Sequence, residues 1–318
     1  MIEEHFAFSA EKPVLVIGGA GVDIVGRLKS ELHTDTSNPA QIRYSFGGVA
    51  RNVAENLARL GQPVRLMTAI GQDDSAGRLL DVLVQAGVDV GAVLRSTEGI
   101  TGTYLAVFDP AGSLQLALDD MRIVSGLTPQ YIRQHANLFA EASLLFIDAN
   151  LPKESLRTVM SLARLARLPV CADPTSAALA HRLRPYISRF FMITPNSSEA
   201  SILCDPMQKV SNRKQALEAA KCLVSQGVEV AIITLAEQGL CYATSEISGH
   251  IPALRTGVLD PTGAGDALSA AVIFAILNGI QIDEAMRLGV SAASLTLRYR
   301  GAVVPDLSLE KLYDRLVV

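Results

Sequence analysis

Along most of this chain, short apolar runs ending in glycine or an acid alternate with longer stretches of helical period. PVLVIGG (13–19) is too short for a helix and too apolar for a half-exposed strand, so it reads as a strand buried on both faces. GVARNVAENLARLG (48–61) follows, with Val49, Val53, Leu57 and Leu60 at helical spacing and Gly61 placed to stop it. The rhythm repeats through PVRLMTAIG and SAGRLLDVLVQAG, then ASLLFID, PKESLRTVMSLARLA and LPVCADP. It continues with RFFMITP, a helix across 211–226, and VEVAIITL. Alternation of this kind marks βαβ crossovers and predicts an α/β fold around a mostly parallel sheet.

Two segments break the rhythm. Residues 22–46 hold VDIVGRL and AQIRYSF around the polar stretch HTDTSNPA. Residues 102–118 read GTYLAVFD-PAG-SLQLALD, two strands about a Pro-Ala-Gly turn. Neither has helical period, which places them together as a small antiparallel lid over a site, formed by residues 22–46 and 100–120. With no low-complexity linker and no internal repeat, residues 1–318 read as a single domain.

Composition narrows the partners. The chain is 49% hydrophobic, lacks tryptophan and carries a formal net charge of −4. A nucleic-acid surface would show a basic stripe, so the expected partner is a small molecule and not a polymer. Cys171, Cys204, Cys222 and Cys241 are widely spaced and form no Cys-x-x-Cys or Cys/His group, as in a reducing compartment. The opening MIEEHFAFSAEK has two early acids and no apolar signal core. The longest apolar stretch, ALSAAVIFAILNGI, is too short to span a bilayer. A cytoplasmic protein with no membrane contact is the expectation.

LDPTGAGDAL (259–268) carries the chemistry. Gly263, Ala264 and Gly265 let successive backbone N–H groups face one cavity, because glycine tolerates the required φ/ψ and admits a ligand closely. The helix that follows adds unpaired N–H groups and the positive end of its dipole, an anion site suited to phosphate. Asp266 lies within reach of the same anion. A carboxylate there can take the proton of a hydroxyl attacking phosphorus while the amides hold charge on the transferred group. An acid in a first turn otherwise only complements the helix dipole, worth about 0.3–1 kcal/mol. The glycine cradle before Asp266, with Asp260 on its other side, favours the base. Gly18-Gly19-Ala20-Gly21 fails the G-x-G-x-x-G spacing and precedes a strand, which argues against an oxidoreductase.

D-P-T-G-A-G-D (260–266) resembles the C-terminal signature of the ribokinase-like (PfkB) carbohydrate and nucleoside kinases. F-G-G-V-A-R-N-V-A (46–54) resembles the family's other signature, and N-S-S-E (196–199) its Asn-x-x-Glu. The three stand in the family's order and spacing over almost the whole chain. The resemblance implies a ribokinase-like three-layer sandwich and an ATP-dependent kinase with an alcohol acceptor. It implies Asp266 as the base, with Gly263, Ala264 and Gly265 as the anion hole. Asp23, Gly47, Gly48, Asn52 and Asn150 would line the acceptor pocket, while Asn196, Thr234 and Gly239 would meet ATP. Asn196 and Glu199 would organise Mg2+ on the phosphates through waters, and Asp260, Thr262 and the Gly301 carbonyl would enclose a monovalent cation, K+. Apart from the family, Asp23 reads as a strand-end turn acid, Asn52 as a surface polar residue and Glu199 as a capping partner of Asn196. Pro261 replaces a commoner threonine, Ala236 a glycine of T-x-G-x-x-G, and Asp173-Pro174-Thr175 an Asp-x-Asn.

The run SNPAQIRYSFGGVARNVAENLARLG (37–61), with Arg51 before Asn52, resembles one subset of the family, the pseudouridine kinases. So does the hairpin TYLAVFDPAGSLQLALDDM. The implied acceptor is the 5′-hydroxyl of that nucleoside. A free sugar such as ribose or fructose is the alternative, and a non-catalytic sugar- or nucleotide-binding regulator the rival outside catalysis. Tyr104 or Met121 would pack against a base, or serve as lid core, and Asp120 or Asn38 would bond its polar edge. An exposed strand edge on the lid implies a homodimer in which lids pair.

Overall fold

The computed structural model describes residues 9–204 and 209–317. The two N-terminal acids, Glu3 and Glu4, lie outside the described residues. Nine strands form the main sheet. In spatial order they are Ser248–Ile251, Leu240–Ala243, Val230–Thr234, Met192–Ile193, Val170–Asp173, Leu144–Asp148, Val14–Ile17, Val64–Met67 and Val88–Asp89. The run from Val230–Thr234 to Val88–Asp89 is parallel throughout, and the two strands at the other edge turn back antiparallel. Val14–Ile17 and Leu144–Asp148 sit centrally and are buried along their whole length, which is why neither alternates polar with apolar residues.

Successive residues of these strands feed opposite layers. Val14 and Val16 pack with the helices Val49–Arg59, Ala264–Leu277 and Ile282–Leu297, while Leu15 and Ile17 pack with Lys153–Leu165 and Arg213–Ser225. The architecture is therefore the three-layer α/β sandwich that the resemblance implied, around the mostly parallel sheet that the alternation predicted. Ala264–Leu277 is buried at every position from Asp266 onward, held between Val49–Arg59 and Ile282–Leu297. A helix apolar all round needs that central place.

The lid is a second sheet in the order Ala40–Gly47, Gly21–Leu28, Gly102–Phe108, Leu114–Asp120. Both outer pairings are antiparallel, and the seam between Gly21–Leu28 and Gly102–Phe108 is parallel, with Asp23 opposite Tyr104. The chain leaves the lid at Gly47, passes through the main sheet and re-enters at Gly102, so the second pair arrives in the same direction as the first. Directly opposite residues share a face. Ser45, Asp23, Tyr104 and Asp119 therefore lie on one face, and Tyr44, Ile24, Leu105 and Leu118 on the other. The first face covers the body, because Asp23 is buried and Arg43, on the same side, pairs with Asp260.

Candidate active site

Two helices begin at the site. Val49–Arg59 starts after Gly48 and Ala264–Leu277 after Gly263, and the two are joined by Asn52 Nδ2 donating to Asp266 Oδ2 at 2.7 Å. Both side chains are buried, so Asn52 is no surface residue. Burial pushes the Asp266 carboxyl up to about 7 against the pull of the Asn52 hydrogen bond, and the charges of Asp148 and Asp23 act with burial. Gly263 sits at φ +78°, where an added Cβ would lie 2.2 Å from the Ala302 carbonyl oxygen, so glycine is required. Over Gly265 an added Cβ would meet nothing within 4 Å. The open space above the helix start belongs to a cavity of about 890 Å³ bordered by Ala264 and Gly265. Asn196, Thr234 and Gly239 line the same cavity, and Leu254 and Leu297 give it an apolar wall.

Under the lid, burial pushes Asp23 up to about 6; Arg51 opposes the shift and Asp260 adds to it. A Cβ on Gly47 would lie 2.2 Å from both Asp23 carboxylate oxygens, so this glycine lets the acid lie against the backbone. Asn150 is half-buried, and its N–H donates to Asp148 Oδ1 at 2.9 Å. Sequence reasoning missed Asp148 itself. Fully buried, it also accepts from the N–H groups of Gly19 (2.7 Å) and Ala50 (3.1 Å), joining the Gly18-Gly19 turn, the first helix and Asn150. Its place at the carboxyl end of a parallel strand, where α/β ligand sites form, was the available signal.

Arg51 plays a second unforeseen part. Its Nη1 donates to Asn52 Oδ1 at 2.8 Å and to the Phe46 carbonyl at 3.0 Å, and its Nη2 pairs with Glu55, which Arg59 also holds. With the amide oxygen of Asn52 taken by a donor, its NH₂ group is the end that turns to Asp266.

Other expected residues fall elsewhere. Asp120 lies on the lid face away from Asp23 and forms a two-bond pair with Arg122 at 2.6 and 2.8 Å, so it is not free for a base edge. The lid register puts Asp119 there instead, next to half-buried Tyr104. Asn38 closes its own loop, accepting from the His33 N–H and donating to the His33 and Thr36 carbonyls. Met121 packs against the core, its sulfur 2.5 Å from where a Cβ on Gly102 would stand. Asn196 and Glu199 form a reciprocal cap. Asn196 Oδ1 accepts from the Ser198 and Glu199 N–H groups, and Glu199 accepts from the Asn196 N–H at 2.9 Å and Nδ2 at 2.7 Å. Behind the cap, half-buried Asp173 is pushed well up by desolvation, with the charges of Glu199 and Asp266 adding to it.

The expected K+ cage meets a different cation. Asp260 is buried; one carboxylate oxygen pairs with Arg43 of the lid and the other accepts from the Thr262 N–H at 3.1 Å. Thr262 thus turns a donor toward the carboxylate, and Gly301 lies buried beside Ala302. The Arg43 guanidinium occupies the cation position beside Asp260, so a metal ion there would meet a like charge at contact distance and does not fit as the residues stand.

What these parts can do together is move a phosphoryl group. Backbone amides at a helix start border a nucleotide-sized cavity, and a carboxylate of raised pKa stands one residue further on, near the lid acid Asp23. That combination defines a small-molecule kinase of the α/β class. The sequence profile described as pfkB family carbohydrate kinase matches residues 12–308, and the chain belongs to that family. It is 31% identical over 297 residues to the pseudouridine kinase of Escherichia coli (strain K12), covering 93% of this chain and 94% of the relative. To the guanosine-inosine kinase of Exiguobacterium acetylicum it is 30% identical, covering 92% and 97%. The solved ribokinase of Arabidopsis thaliana, complexed with ribose and ATP, superposes with a TM-score of 0.83 at 20% identity, covering 96% of each chain, and shares the fold. Among the described residues no helix is long and apolar enough to cross a membrane.

Proposed function

We propose that this protein is an ATP-dependent nucleoside kinase acting on the 5′-hydroxyl, with pseudouridine as its substrate. The observation that carries the reading is the buried Asn52–Asp266 contact, which holds a base of raised pKa in the first turn of the helix that borders the cavity. Asp266 removes the proton of the acceptor hydroxyl. That oxygen attacks the γ-phosphorus, the bond to the β–γ bridging oxygen breaks, and ADP leaves. The amides of Gly263, Ala264 and Gly265 hold the charge that grows on the transferred oxygens. Asp23, Gly47, Gly48 and Asn150 hold the ribosyl hydroxyls, and the apolar wall with Thr234 and Gly239 holds the adenine end of ATP.

Mg2+ would be held on the phosphates through waters by Asn196 and Glu199, which border the cavity or cap the helix beside it, and it neutralises phosphate charge. No three His, Cys, Asp or Glu side chains gather as a direct cage among the described residues, so the donor set fits an ion carried mainly by its nucleotide. The nucleoside reading is supported by the two nucleoside-kinase relatives and by Tyr104, half-buried on the site face of the lid, where a base can stack. We further take the chain as one kinase domain, cytoplasmic, and working as a homodimer through its lid. A panel of pseudouridine, uridine, guanosine, ribose and fructose with ATP, read by ADP release, tests the acceptor. Pseudouridine should give the highest kcat/KM, and preference for a free sugar would replace the nucleoside reading with the sugar-kinase one.

A further inference from the structure

Asp260 is a buried carboxylate with a second acid, Asp23, close enough to be pushed upward by its charge. Burying a carboxylate without a counter-charge is costly, and a cation beside it offsets that cost. Here that cation is the Arg43 guanidinium, brought by a lid strand from 217 residues away in sequence. It faces the body on the same side of the lid as Asp23, with its side chain 34% exposed against 5% for Asp260. The Asp260 N–H and the Leu259 N–H both turn to the Leu297 carbonyl, and the Thr262 N–H turns to Asp260, so this carboxylate pins the loop that leads into Gly263.

We propose that Arg43 is the built-in cation of the anion-hole loop, doing the work of a monovalent metal ion and making the loop's charge balance depend on a seated lid. A guanidinium is always charged, offers a planar fork to a carboxylate, and cannot be exchanged with salt. A metal ion entering beside it would meet a like charge at contact distance. The protein's turnover is therefore indifferent to potassium, and the lid strand and the phosphoryl-holding loop move as one unit. The inference rests on the phosphotransfer reading and not on which acceptor is used.

The test compares the unaltered protein with Arg43→Gln and Arg43→Lys in potassium chloride and in tetramethylammonium chloride at equal ionic strength. Two readouts are taken: the thermal midpoint without substrates, and ADP release with ATP and the best acceptor. The unaltered protein should show the same midpoint in both salts and rates within about twofold. Arg43→Gln should lose about tenfold in rate in tetramethylammonium, equivalent to about 1.4 kcal/mol, and recover most of it in potassium, with its midpoint rising alongside. Arg43→Lys, which keeps the charge, should stay indifferent to the salt. The proposal is overturned if the unaltered protein itself needs potassium, or if Arg43→Gln ignores the salt in both readouts. If Arg43→Gln does not fold, the unaltered protein and Arg43→Lys still decide by their salt response. If no acceptor on the panel turns over, the midpoints decide alone, which separates failure here from failure of the acceptor reading.

Discussion

At the scale of single residues, the protonation of Asp266, the proposed base, sets the expected pH dependence. The groups that face it are Asp148 at the end of its strand, Asp23 on the lid, half-buried Asp173, and Arg51 and Asn52 on the first helix. Burial and the charges of Asp148 and Asp23 raise its carboxyl, Asn52 and Arg51 lower it, and the balance stands at about 7. The base must be ionised, so kcat/KM should rise with pH through the region of 7 and fall about tenfold per unit below it. Arg51→Met removes a positive charge and frees the Asn52 amide to rotate, so the rising limb should move to higher pH. Asp266→Asn should lose about 10²–10⁴-fold in kcat with ATP binding kept, measured by calorimetry. A limb that stays put in Arg51→Met and in neutral-charge variants of Asp148 would assign the titration to another group. Asp266 was singled out in sequence by its glycine cradle, and Asp23 and Asn52 through the family resemblance of the glycine-marked segments around them. Asp148 and Arg43 were not, because what gives each its role is a partner 98 or 217 residues away.

At the scale of elements, the strand–helix alternation was readable almost throughout, since buried parallel strands and amphipathic helices write their burial as period. Departures from family pattern become physical here. Ala236 sits at φ +49°, a left-handed conformation that costs a residue with a Cβ about 1–2 kcal/mol, the kind of position that favours the glycine of the family pattern. The helix start Gly263–Gly265 offers a sharper contrast, because its two glycines answer different demands. Gly263→Ala collides with the Ala302 carbonyl and adopts an unfavourable φ, so it should destabilise the fold by about 1–3 kcal/mol or more in urea unfolding. Gly265→Ala meets no protein atom, so unfolding should be unchanged while the new methyl group occupies the phosphoryl space. Its loss should appear in kcat and in ATP affinity. Equal unfolding free energies for the two variants would refute this division of labour.

At the scale of the whole molecule, what the sequence left hidden was the way its two lid hairpins join. Hairpin periodicity is local, whereas the parallel seam depends on where a chain that has crossed the main sheet re-enters the lid. That seam aligns Ile42, Gly26, Val107 and Leu116 in one row and Tyr44, Ile24, Leu105 and Leu118 in the next, so the outer face of the lid is apolar across all four strands. Tyr44 is 70% exposed, Ile42 60% and Leu118 57%. An apolar face this continuous is unusual on a monomer and is self-complementary under a two-fold axis. In the proposed homodimer the lid faces would join as well as the strand edges first expected, and sedimentation should then find two chains per particle. Leu118→Asp paired with Tyr44→Asp should yield monomers whose main sheet is intact, because both side chains point away from the body. A lid that has lost its partner closes less often, so the acceptor KM should rise several-fold while ATP affinity holds, since the nucleotide cavity has no lid residue in its lining. Monomeric unaltered protein, or a double variant that still sediments as a dimer, would place the contact elsewhere.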